Sequence, residues 1–286
     1  MVEIGRINRL RIVKEVDFGL YLDGGDPEQG GFGEILLPAR FVPPACCVND
    51  EIAVFIYFDS EDRIIATTAR PYAMVGEFVQ LLVTSVSHYG AFLEWGLSKD
   101  LLLPFGEQIM PIQEGESHIV CLFLDEKSQR ITASAKLNDF LHDESHGDFE
   151  VGDEVTLLTA AKTDLGHKMI VNNSHWGLLH RHEQVHELNI GQHLTGYIKQ
   201  IRDDGRIDLC LHRLPSEKSD EVADTIMAAL EKAGGTLTLT DKSSPAAIKA
   251  TFGVSKALYK KAVGSLYRKR KIRIDSNSIR LNSDGK

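Results

Sequence analysis

The sequence predicts a mainly β protein with a C-terminal α+β module: three tandem five-stranded barrels followed by a winged helix-turn-helix. Three observations carry this. Residues 74–136 repeat the order of motifs in residues 1–69, and an internal repeat decides architecture before local patterns do. Each repeat breaks into short β-branched and aromatic runs bounded by Gly, Pro, Asp and Asn at hairpin-like intervals. From Ser219 the apolar residues change to helical spacing.

The first barrel is assigned to residues 1–70. Its markers are Phe18-Gly19-Leu20-Tyr21, then Leu36-Leu37-Pro38, the run 52–58, a turn at 59–62 and a last strand from Arg63. The second, 71–137, opens after a short Pro71-Tyr72 hinge and repeats the series as Tyr89-Gly90-Ala91-Phe92, Leu102-Leu103-Pro104, 119–124, a turn at 125–129 and Arg130. Gly19 and Gly90 fall inside strand patterns, where a glycine marks a bulge, a sharp bend or a close backbone approach. A five-stranded sheet that bends back on itself needs such a kink, which points to a small closed barrel of the OB type.

Residues 138–149 are acidic and polar and read as a solvated linker; His142, Asp143, Glu144, His146 and Asp148 only imitate a metal cluster there. The third barrel, 150–214, restarts with Val151-Gly152-Asp153-Glu154-Val155. In its last strand Ile207, Leu209 and Leu211 alternate with Asp208 and Cys210. His175, His180, His182 and His186 read as rim histidines rather than a metal site. The winged helix is assigned to 218–283. Val222, Ile226 and Leu230, with Ala229 and Ala233, mark a first helix stopped by Gly234-Gly235. Ser244-Pro245 starts a second. Ser255 starts a third, over 256–269, with Leu258, Ala262 and Leu266 inward, and a hairpin turning at 275–278 forms the wing.

Composition excludes several classes. No run approaches the length of a membrane span, and the first residues lack a basic-then-apolar leader. The four cysteines form no CxxC, so a reducing, cytoplasmic compartment is expected. The formal net charge is −9, yet Lys242 to Ile274 holds ten Lys and Arg and no acid, leaving 22 basic against 41 acidic residues elsewhere. Such segregation points to one basic surface on an acidic body. Lys256 and Lys260 stand at i,i+4, a repulsive spacing that favours a polyanion contact over a merely solvated face. No GxxxxGK[ST] or HExxH occurs, and Asp203-Asp204-Gly205 is explained as a hairpin turn rather than an Mg²⁺ site with Asp208. No enzyme, cofactor or metal is expected.

The repeat resembles the S1 RNA-binding domain, in which bases stack on aromatic faces beside an Arg or Lys. The resemblance implies RNA contacts at Phe18, Tyr21 and Arg63, with Asp59, in the first unit, and at Tyr89, Phe92 and Arg130, with Asp125 nearby, in the second. Pro38 and Pro104 replace the usual His. In the third unit His180 and Arg206 match, with Asp203 nearby, but Leu165 and Lys168 replace the aromatics. Three such barrels before a winged helix resemble the bacterial CvfB (conserved virulence factor B) family. The resemblance runs through residues 163–172, 201–209, 239–245, 252–256 and 261–268. It implies a cytoplasmic, non-enzymatic regulator of gene expression that binds single-stranded RNA. Lys256, Lys260, Lys261, Arg268, Lys269, Arg270, Lys271 and Arg273 are expected to add phosphate affinity. The alternative partners are duplex DNA, for a transcription regulator, and the ribosome or RNA-processing proteins, for an adaptor.

Overall fold

A computed structural model describes residues 2–59, 61–184, 186–213, 215–240, 242–275 and 278–282, without side chains over 215–220. The chain divides into two compact units, Met1–Ser145 with Thr156–Leu194 and Asp204–Arg206, and His146–Val155 with Thr195–Asp203 and Ile207–Lys286.

In the first barrel β1 (Ile7–Val16), β2 (Gly19–Asp23), β3 (Glu34–Pro38), β4 (Glu51–Phe58) and β5 (Ile64–Thr67) close in the order β1-β2-β3-β5-β4. Alternate residues of these strands, among them Ile12, Leu22, Ile35, Leu37 and Val54, fill its centre. The second repeat gives β6 (Phe78–Ser87), β7 (Gly90–Glu94), β8 (Leu101–Pro104), β9 (Ser117–Leu124) and β10 (Ile131–Ser134). Here closure is incomplete. The sheet runs β10-β9-β6-β7-β8, and β8 and β10 lie side by side as a seam without a hydrogen-bonded ladder among the described residues.

The third barrel is closed as β11-β12-β13-β15-β14, from β11 (Glu154–Lys162), β12 (Gly166–Val171), β13 (His175–His180), β14 (His193–Ile201) and β15 (Ile207–Cys210). Its last strand is buried on both faces. Ile207 through Cys210 are all buried, and Asp208 is tolerated there because Arg202 grips both its oxygens, Nε at 2.9 Å and Nη2 at 2.6 Å.

The three glycines make a close approach. A Cβ on Gly19, Gly90 or Gly166 would stand 2.1, 2.3 and 2.1 Å from the carbonyl oxygens of Leu37, Leu103 and Leu179. The bulge lies instead in the preceding strand of each barrel, between Ile12 and Lys14, Val83 and Ser85, and Thr159 and Ala161.

The first two barrels share a core. Phe55, Tyr57 and Ile65 of one pack with Leu81, Leu93, Trp95 and Leu122 of the other, and the Phe55 and Trp95 rings meet edge to face at 5.8 Å. Pro71-Tyr72, expected as a hinge, is docked: Pro71 is buried and the Tyr72 N–H donates to the Trp95 carbonyl at 2.9 Å. Within 138–149, expected as a solvated linker, Leu141, Ser145 and Phe149 are buried, and the Trp176 N–H donates to the His142 carbonyl. Leu141 joins Phe78, Ile119, Leu158, Ile170 and Trp176 in a second apolar cluster.

The C-terminal module holds α1 (Pro215–Lys232), β16 (Thr236–Leu237), α2 (Pro245–Phe252), α3 (Lys256–Arg268), β17 (Ile272–Ile274) and β18 (Ile279–Leu281). The sheet order is β16-β18-β17, so a short strand joins the expected hairpin. Ser244 and Ser255 cap α2 and α3 by accepting from the N–H groups of Ala247 and Leu258. Gly235, at φ +89°, donates its N–H to the Leu230 carbonyl and ends α1. The inward stripe of α3 is Tyr259, Ala262, Val263 and Leu266; Leu258 is only half-buried. Tyr259 is fully buried because its hydroxyl donates to the Leu239 carbonyl at 3.0 Å. The middle of the wing turn, Ser276 and Asn277, and residue 283 lie outside the described residues. Among the described residues no helix is long and apolar enough to cross a membrane.

Candidate nucleic-acid interface

The hairpin register shows why the motif residues gather. Gly19 pairs with Pro38, Gly90 with Pro104 and Gly166 with His180, so the three barrels present equivalent positions on the same two strands. Phe18, Tyr89 and Leu165 do not belong to the strands that follow. They sit in the preceding turns, which aim them outward, at 58%, 65% and 62% exposure. Strand parity therefore does not separate Phe18 from Tyr21, and their rings meet edge-on with centroids 6.3 Å apart.

In the second barrel Tyr89, Phe92 and Arg130 line one open groove of about 1190 Å³ along the β8/β10 seam, with Phe123 and Lys99. Tyr57, Phe58 and Asp62 reach the same groove from the first barrel. Arg130 is ion-paired with Asp62, and the Lys99 Nζ donates to the Asp59 carbonyl at 3.2 Å. Partial burial, then the nearby Arg130 charge, lower the Lys99 pKa from the ordinary lysine value. Asp125 accepts from the Ser128 N–H at 2.9 Å and from its hydroxyl at 2.5 Å, closing the turn before Arg130.

The first barrel's face is smaller. The Lys14 Nζ sits 5.5 Å from the centre of the Tyr21 ring. Arg63 is held by Asp59 at 2.8 Å and Glu61 at 3.2 Å, and it does not line the groove. Burial pushes the Asp59 carboxyl up, but the backbone N–H and guanidinium of Arg63 outweigh this and hold it below the usual range.

In the third barrel the Lys168 ammonium lies 3.7 Å from the centre of the Trp176 ring, so the expected substitution for an aromatic covers one instead. The His180 ring stacks on His182 at 5.4 Å, and Arg206 leans on Asp204 at 3.7 Å. His175, expected on the rim, is buried with Nδ1 2.9 Å from the Ser174 hydroxyl oxygen. Among the described residues no group of three or more His, Cys, Asp or Glu is placed to hold a metal ion.

In the winged module Lys260 and Lys261 are exposed on α3, and Arg268, Lys269, Arg270, Lys271 and Arg273 are exposed after or at its end. Lys256 is half-buried, its Nζ donating to the Lys242 carbonyl at 3.4 Å. Among the described residues no carboxylate pairs with Lys260, Lys261, Arg270, Lys271 or Arg273. Tyr267, 55% exposed beside these cations, escaped the sequence reading, as did Lys99, Asp62, Phe123 and Lys14. Phe123 lies in the continuous apolar run of β9, which gives no alternation to single it out, and Asp62 and Lys99 act across a barrel junction that no local pattern reports.

Comparison with known proteins follows the same modular order. The S1 domain family model matches residues 4–69, and the CvfB-like winged helix domain model matches residues 224–281. The protein YitL of Bacillus subtilis is 28% identical over 272 residues, covering 92% of this chain and 88% of that protein. Conserved virulence factor B of Staphylococcus epidermidis is 24% identical over 245 residues, covering 83% and 82%. A multidomain protein with nucleic acid binding domains from Streptococcus pneumoniae aligns over 98% of both chains at 25% identity, with a TM-score of 0.39. The S1 and winged-helix domains support nucleic-acid binding. With an S1 domain match at residues 4–69 and a CvfB-like winged helix match at residues 224–281, the chain is similar to the conserved virulence factor B proteins over most of its length.

Proposed function

We propose that this protein binds single-stranded RNA, without catalysing a reaction on it, and so affects gene expression after transcription in the bacterial cytoplasm. The observation that carries the reading is the seam groove, where Tyr89, Phe92 and Arg130 converge on one open surface. Exposed rings stack on unpaired bases, which a duplex keeps stacked away, and a nearby guanidinium donates hydrogen bonds to phosphate. Phe18 and Tyr21 offer a second stacking pair, and the α3 cations add affinity that does not depend on sequence. His180 and Arg206, engaged with His182 and Asp204, contribute less in this reading.

The test is a titration of the full chain with fluorescent single-stranded RNA, single-stranded DNA and duplex DNA at about 50 and about 200 mM salt. Tighter binding of the single strands, with RNA foremost, is the expected result. A preference for duplex would favour the basic face of α3 as the principal site and a transcriptional role. Absence of binding at low salt would make the modules protein-docking surfaces.

A further inference from the structure

The seam groove carries more negative than positive charge among its lining residues: Asp62, Asp100, Glu107 and Asp125 against Lys99 and Arg130. Three of these carboxylates are engaged inside the second barrel. Asp100 accepts from the Thr84 hydroxyl at 2.8 Å, Glu107 from the Ser134 hydroxyl at 2.6 Å, and Asp125 from Ser128. Asp62 differs. It comes from the first barrel's β4–β5 turn, 68 positions from Arg130, and among the described residues it is the only groove carboxylate paired with a groove cation.

We propose that Arg130 and Lys99 form a subsite for a backbone phosphate of RNA, and that the Asp62 carboxylate fills this subsite when no RNA is bound. The proposal rests on the reading of the groove as a strand-binding site. A carboxylate and a phosphodiester both offer two oxygens sharing one negative charge, and a guanidinium donates to either in the same geometry. Asp62 is 64% exposed and Arg130 43%, so the exchange takes place in contact with solvent and breaks only a weak surface pair. Lys99 sits in the field of Arg130, Asp62 and Asp59, with its own charge disfavoured by partial burial. An incoming phosphate gives both cations an anion that Asp62 supplies to them only in part. Asp62 also holds a left-handed backbone conformation, φ +61°, which fixes its side chain at the end of the turn. Asparagine adopts that conformation readily, so Asp62→Asn removes the charge without disturbing the turn.

The experiment titrates the full chain with a fluorescent single-stranded oligouridine at low salt. Asp62→Asn is expected to bind about twofold to fivefold more tightly than the unmodified chain, the range that follows from releasing an exposed ion pair. The gain should vanish when Arg130→Ala and Lys99→Ala are already present. Asp100→Asn, which removes the same charge from the same groove without touching Arg130, should gain less. Unchanged or weaker binding by Asp62→Asn overturns the proposal, as does an equal gain in Asp100→Asn or a gain that persists without the two cations. Tyr89→Ala in the same titration separates the two ideas. If it weakens binding while Asp62→Asn does nothing, the groove binds RNA and the subsite is wrong; if Tyr89→Ala has no effect, the groove reading itself fails.

Discussion

Replacing Gly90 by alanine isolates the close approach on which each barrel turns. The added Cβ would stand 2.3 Å from the Leu103 carbonyl oxygen and 2.8 Å from the Pro104 Cα, both backbone atoms of a paired strand. Neither can rotate away, so the β7–β8 ladder must open locally. The residue also keeps φ +146°, where a side chain is strained by about 1–3 kcal/mol. Loss of one or two ladder hydrogen bonds adds about 1 kcal/mol each, and reduced freedom of the unfolded chain returns about 0.4–1 kcal/mol. The net destabilisation is about 2–4 kcal/mol. For a cooperative unit of this size, about 2–4 °C per kcal/mol lowers Tm by roughly 4–16 °C. Differential scanning calorimetry reads the shift. Gly106→Ala is the control, since nothing lies within 4 Å of its Cβ position, and it should melt within about 2 °C of the parent. If Gly90→Ala melts with Gly106→Ala, the backbone approach does not constrain the barrel and the reasoning is wrong.

Three further outcomes are expected. Tyr89→Ala should weaken single-stranded RNA binding by about 5- to 150-fold, the loss of one stacked base, in an anisotropy titration; Leu165→Ala, at the equivalent turn of the third barrel, should leave affinity unchanged. Changing Lys260 and Lys261 together to Ala should lower the slope of log affinity against log salt by about 1 to 2, measured for any strand sequence. Burial pushes the Cys121 thiol up to about 12, so near pH 8 only about one part in ten thousand is thiolate; a thiol reagent on the native protein should label exposed Cys47 and spare Cys121, whereas equal labelling would show that the second barrel opens freely.

The repeat was legible because a barrel of this size leaves few choices. Aromatic-Gly, Leu-Leu-Pro and the Asp-rich turns are local, and each forces its own hairpin. The Ser and Gly caps of the winged helix were legible for the same reason. The burial of both faces of β15 was not legible: Asp208 is buried because Arg202, six residues earlier, neutralises it. Phe18 belongs to a turn, where strand parity has no meaning. The groove's electrostatics were not legible at all. Arg130 meets Asp62, and Lys99 meets Asp59, only because Phe55 and Tyr57 are buried against Trp95, a contact set by tertiary packing.

That shared core means the first two barrels are not beads on a string. A fragment ending near residue 70 would leave Phe55, Tyr57 and Ile65 facing water and should aggregate rather than fold cleanly. The same core holds the barrel that carries Phe18 and Tyr21 against the one that carries Tyr89 and Phe92. On the proposed reading, a strand that touches both pairs has to span the distance that this core sets.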